Sequence, residues 1–95
     1  MLEKTIEKKV CDYAKEKGML VYKFTSPARI AVPDRLFITA TGRVFFCEFK
    51  APGKKPTPAQ EREHHRLREQ GCAVYVIDSL DGGVAMVDGE HRENP

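Results

Sequence analysis

The sequence predicts a single α/β domain, a mixed β-sheet flanked by helices in the order α-β-β-β-α-β. Three observations lead there. Leu2, Ile6, Val10, Tyr13 and Ala14 recur at helical spacing before a stop at Gly18. Two short β-rich runs, LFITA and VFFCEFK, are joined by a tight Thr41-Gly42 connection and form an antiparallel hairpin. A proline-started helix then leads into AVYVI, a short apolar strand.

In chain order, the first helix is expected over 2–17 and the first strand over 19–24 (MLVYKF). A loop with two prolines and the basic Arg29 covers 25–33. The hairpin strands cover 36–40 and 44–50, and a basic, proline-rich loop, APGKKPT, covers 51–57. The second helix runs from Pro58 to about Gln70, with Thr57 as N-cap and Gly71 at its end. The fourth strand is 73–77. Beyond Asp78, Gly82-Gly83 reads as a turn, 84–87 as a short strand and 89–95 as a frayed tail, so that the folded domain is 1–88.

A chain of 95 residues holds one domain, and one this small gains stability by pairing with a second copy. Hydrophobic residues at 41% and charged residues at 32% describe a globular chain rather than a disordered one. A net charge of +2 says little about nucleic acid, so the placement of the charges must decide. No apolar run approaches a membrane span, and MLEKTIEKK has no secretory core, so a cytoplasmic protein without membrane contact is expected. Cys11, Cys47 and Cys72, odd in number and widely spaced, argue against disulfide or zinc frameworks; reduced, mostly buried thiols are expected.

The chemistry is concentrated on the third strand. Alternation sends Val44, Phe46, Glu48 and Lys50 to one face and Phe45, Cys47 and Phe49 to the other. Glu48 and Lys50 therefore project side by side from the end of an apolar strand. The hairpin brings Asp34, at the start of the preceding strand, toward Glu48. Two converging carboxylates repel, and a divalent cation with a taste for hard oxygen, Mg²⁺ or Mn²⁺, relieves the repulsion. Such an ion activates water and polarises a phosphate, Lys50 orients or deprotonates the water or stabilises developing charge, and the Phe49 carbonyl is a further ligand candidate. An isolated Glu-x-Lys is a common surface ion pair; it is the joint placement with Asp34 that points to a site.

Pro33-Asp34 followed by Glu48-Phe49-Lys50 resembles the PD-(D/E)xK nuclease signature. The stretches SPARIAVPDRL, FFCEFKAPGKKPTPAQ and VYVIDS are similar to the virus-type replication-repair nuclease (VRR-NUC) domain, in its stand-alone phage and prophage form. The resemblance covers about 2–79 and departs at Ala31, where the family often has glycine. It implies a restriction-endonuclease-like fold. It also implies a metal-dependent DNA endonuclease, selective for branched DNA such as four-way junctions, acting as a homodimer in replication or repair in a bacterial or phage-infected cell. An acidic residue on the first helix belongs to that pattern: Glu3, inside the apolar stripe, is favoured over Glu7 at its edge, and the choice stays open. The resemblance also places Gln60 in the active site, although Thr57-Pro58-Ala59-Gln60 equally fits a capping box. The catalytic set expected is thus Asp34, Glu48, Lys50, Gln60 and Glu3, with metal held by Asp34, Glu48, the Phe49 carbonyl and Glu3.

Lys23, Arg29, Arg35, Lys54 and Lys55 are the candidates for DNA phosphates. Arg62, Arg66 and Arg68 alternate with Glu61, Glu63 and Glu69, which reads more simply as a solvated helix face. His64 and His65, adjacent on the helix, are read as surface or interface residues. A rival function is a non-cleaving nucleic-acid-binding module, or an accessory subunit of a phage repair complex. Converging carboxylates disfavour a pure binder, because without a metal they repel the ligand.

Overall fold

In a computed structural model, which describes residues 1–92, three helices flank a four-stranded mixed sheet. Helix α1 is Glu3–Glu16, followed by strands β1 Leu20–Lys23, β2 Arg35–Ile38 and β3 Val44–Phe49. Helix α2 is Pro58–Glu69, β4 is Ala73–Ile77 and helix α3 is Leu80–Arg92. The strand order is β1-β2-β3-β4; the first three pair antiparallel and β4 joins β3 in parallel. The expected hairpin and mixed sheet are present, with strand bounds within two residues of those the sequence suggests.

Alternation on β3 divides the molecule. Phe45, Cys47 and Phe49 join Phe37 and Ile77 beneath α1 and α3, where Ile6, Val10, Ala14, Met86 and Val87 complete the core. Phe37 stacks on Phe45 at 4.8 Å between ring centroids, and Tyr75 meets Phe45 edge-on. The cysteines are free thiols, and burial pushes Cys11 up to about 11, so it behaves as a packing residue. The opposite face carries Val44, Phe46 and Glu48, and α2 covers the Glu48 end.

The C-terminal segment corrects the sequence expectation. Residues 80–92 form one helix, where a turn, a short strand and a tail from residue 89 were expected; residues 93–95 of that tail lie outside the described residues. The glycines misled because they signal turns when read locally. Tertiary packing explains Gly83: a Cβ there would lie 2.2 Å from Val10 Cγ2, so its absence lets α1 and α3 approach. The helix is also pinned near its end, where Glu90, 2% exposed, accepts hydrogen bonds from Arg43 and Tyr75. Gly83→Ala is expected to destabilise the domain by about 1–3 kcal/mol, an overpacking cost; a melting temperature within 2 °C or so of wild type would show that the contact is loose.

Candidate active site

The β2–β3 register pairs Arg35 with Cys47, so one further step places Asp34 opposite Glu48. Asp34 is held on both sides: its carbonyl accepts from the Phe24 N–H at 2.9 Å, and its carboxylate Oδ2 accepts from the Phe49 N–H at 2.8 Å. Pro33 before it is buried. Strand β3 runs one residue further as a ladder, since the Lys50 N–H donates to the Ile77 carbonyl at 2.9 Å. Backbone hydrogen bonds thus fix the starting points of all three side chains.

Glu48 is 3% exposed, and its carboxyl is pushed up to about 8. Burial is the first cause; the Asp34 charge and a hydrogen bond with the Asp34 carboxyl come next. Lys50 pulls the other way, and the Glu3 charge adds to the rise. Without a cation, therefore, Glu48 keeps its proton at neutral pH. Glu3 acts on Glu48 in this way, whereas Glu7 closes an ion pair with Arg35 at 2.6 Å. Glu7 is thus engaged by Arg35, while Glu3 is exposed rather than inside the apolar stripe and bears on Glu48 through its charge alone.

Gln60 both caps α2 and reaches Glu48. Its Oε1 accepts from the Thr57 N–H at 2.9 Å while its own N–H donates to Thr57 Oγ1 at 3.2 Å, a complete capping box. With its oxygen committed to the cap, the amide nitrogen Nε2 faces Glu48 Oε2 and donates at 3.3 Å. The cap thereby orients the amide for the site.

His64 is the residue that sequence reading misplaced. It is 1% exposed rather than on the surface, with Nε2 3.6 Å from Glu48 Oε1. Burial, then the charges of Arg68 and Lys50, lower its pKa, which keeps the ring neutral. His65 is exposed and pairs with Glu69 at 3.1 Å. One turn of helix separates Gln60 from His64, so the pairing with Gln60 was a signal available in the sequence.

The basic candidates separate by position. Lys23, Lys54 and Lys55 are exposed. The loop bearing Lys54 is anchored by the Gly53 N–H donating to Asp78 at 3.1 Å. Arg29 reaches Glu63 on α2 at 3.8 Å and stays half exposed, which ties the 25–33 loop to that helix. Arg35 lies on the α1 side, paired with Glu7, away from the carboxylates. Ala31 adopts a left-handed backbone, φ 76, a conformation that glycine reaches without cost and alanine does not.

No protein-family model matches the chain. A phage protein described as "Putative nuclease p44", from Acyrthosiphon pisum secondary endosymbiont phage 1, is 49% identical over 79 residues, covering 83% of this chain and 85% of its own. A solved structure described as a VRR_NUC domain superposes with a TM-score of 0.85 at 32% identity, over 90% of this chain and 94% of that one. The chain belongs to the VRR-NUC nuclease family. A second VRR-NUC domain protein shares the fold at 16% identity, with a TM-score of 0.74 over 93% of this chain and 86% of its own.

Among the described residues no three His, Cys, Asp or Glu side chains converge on one point. A metal would rest on two carboxylates, a backbone carbonyl and water. That sparse, all-oxygen set suits Mg²⁺ or Mn²⁺, which keep several waters and take one or two carboxylates. The raised Glu48 pKa, to which burial and the Asp34 charge contribute, describes two acids whose like charges are uncompensated, as a cation site requires.

Proposed function

We propose that this protein is a metal-dependent endonuclease that hydrolyses DNA phosphodiester bonds, with branched DNA such as four-way junctions as its substrate. The observation that carries the reading is the mutually repelling Asp34–Glu48 pair beside Lys50, with Glu48 buried and Asp34 partly so. A binding module has no use for it, because two carboxylates oppose the approach of phosphate unless a cation intervenes.

Asp34 and Glu48 would hold the ion, with the Phe49 carbonyl, and with Glu3 through an intervening water. When bound, Mg²⁺ or Mn²⁺ supplies Lewis acidity toward the phosphate and a more acidic water. Lys50 orients the attacking water and donates to the charge that develops on the phosphate. Gln60 holds Glu48 through Oε2. Lys23, Arg29, Lys54 and Lys55 bind backbone phosphates without reading bases, which suits recognition of shape over sequence.

Labelled duplex, flap and four-way-junction DNA incubated with Mn²⁺ or Mg²⁺, and in parallel with EDTA, tests this. Cleavage is expected only with metal and fastest on branched substrates. Undiminished cutting in EDTA would overturn metal dependence, and metal-dependent binding without cutting would favour the non-cleaving module.

The reading includes a homodimer, which presents two sites to a symmetric junction. The sheet face beside α2 supports it. Leu20 and Tyr22 on β1, 55% and 53% exposed, continue through Leu36 and Ile38 to Val44 as one apolar surface. Tyr22→Asp is expected to shift the protein from dimer to monomer in light scattering; a monomeric wild type would remove the dimer from the proposal.

A further inference from the structure

The two oxygens of Glu48 have different surroundings, and α2 supplies both. Gln60 and His64 stand one turn apart on the same helix face, the first at Oε2 and the second at Oε1. Gln60 is fixed by its cap. His64 is fixed by burial, and its Nε2 has no hydrogen-bond partner among the described residues; neither does Glu48 Oε1, which faces it at 3.6 Å. Two buried polar atoms left unpaired at that separation are costly, and a shift of a few tenths of an ångström closes a hydrogen bond between them. When Glu48 is the carboxylate that a cation would take, that bond is attractive if the ring carries a proton on Nε2 and donates it to Oε1.

We propose that His64 is a positioning residue: its Nε2–H anchors Glu48 Oε1, so that Gln60 and His64 together bracket the carboxylate and leave the remaining lone pair of Oε2 to the cation. Glu48 is then held from behind, in the orientation a metal needs before the metal arrives. Orientation of this kind matters because a ligand that must be ordered at the moment of binding weakens the site. The role deepens the metal-dependent reading above and rests on it.

Two measurements test it. In the metal-free protein above about pH 8, where Glu48 is a carboxylate, ¹⁵N–¹H correlation of the histidine ring should show His64 as the Nε2–H tautomer; the Nδ1–H tautomer there would overturn the anchor whatever the metal does. Mn²⁺ titration followed by calorimetry should then show the dissociation constant of His64→Leu raised by roughly 10- to 100-fold. His64→Gln, whose amide can donate from a similar reach, should return to within a few-fold of wild type. A purely structural histidine would lower the melting temperature of His64→Leu without moving its Mn²⁺ affinity, and that result would sink this role alone. Should His64→Leu not fold, His64→Gln binding Mn²⁺ as wild type supports the anchor, and a 10-fold loss in that variant opposes it. Wild-type protein that binds no Mn²⁺ would bring down the metal reading and this role together.

Discussion

Asp34→Asn is expected to lower DNA cleavage by at least about 10²–10³-fold, the usual cost of removing one group that stabilises the transition state, while the metal-free protein becomes more stable at pH 8. The two effects share one cause. The asparagine amide oxygen can still accept the Phe49 N–H that Asp34 Oδ2 accepts at 2.8 Å, so the local backbone is kept. What is lost is the negative charge that opposes ionisation of Glu48. Without it the cation has one carboxylate fewer, and the empty site has one repulsion fewer. Lys50→Ala should reduce cleavage by a similar factor and move stability the other way, because Lys50 is the charge that draws the Glu48 pKa down. Its backbone N–H bond to Ile77 survives the substitution. Single-turnover cleavage with Mn²⁺ and thermal melts in EDTA check the pair. If both variants cut like wild type, the site is elsewhere. If both lose activity and both lose stability, the carboxylates are not in conflict. A trade of stability for activity is common where an active site holds like charges together.

How much of this was open to reading from sequence depends on the range of the interactions. The β2–β3 hairpin is local, and its alternation put Glu48 and Lys50 on one face and Asp34 nearby before any coordinates. The capping box on α2 is local too, and so was visible. Gln60 needed the structure for a different reason: capping and carboxylate contact were taken as alternatives, and the amide has two ends that serve one each. His64 stayed hidden because α2 is polar almost all round, and His64 is its only buried residue. No apolar stripe marks that face, since what it covers is a carboxylate. Helix α3 was missed because Gly82, Gly83 and Gly89 carry turn signals locally, while the reason for Gly83 lies more than seventy residues earlier in the chain, at Val10. The first-helix carboxylates were separable only in part. Position on the stripe favoured Glu3, and the partner that occupies Glu7 is Arg35, on a different element.

Metal-free protein is expected to lose stability as pH rises toward 8, and Mn²⁺ to restore it. Glu48 has its folded pKa at about 8, against an ordinary value of 4.5. Between those values the folded state holds a proton that the unfolded chain has released, so folding weakens with rising pH and levels off above about 8. His64 acts with the opposite sign at the acid end. Its pKa is lowered from 6.5, so its contribution is present above that value and lost as pH falls below it. The two groups oppose each other in mild acid, which leaves pH 6.5–8 as the window where Glu48 acts alone. Over about one and a half units the loss is ~2 kcal/mol, or roughly 10 °C in melting temperature for a domain of this size. A cation replaces the Glu48 proton, and at one hundred times its dissociation constant returns about 2.7 kcal/mol. Its effect on melting should therefore grow with pH, because at pH 6.5 it must first displace that proton. Glu48→Gln removes the titrating group and should flatten the metal-free profile while abolishing the Mn²⁺ response. A wild-type melting temperature that stays level from pH 6.5 to 8.5 in EDTA would mean that the Glu48 carboxyl is not held in conflict with Asp34, and the strongest physical reason to place a cation there would be gone.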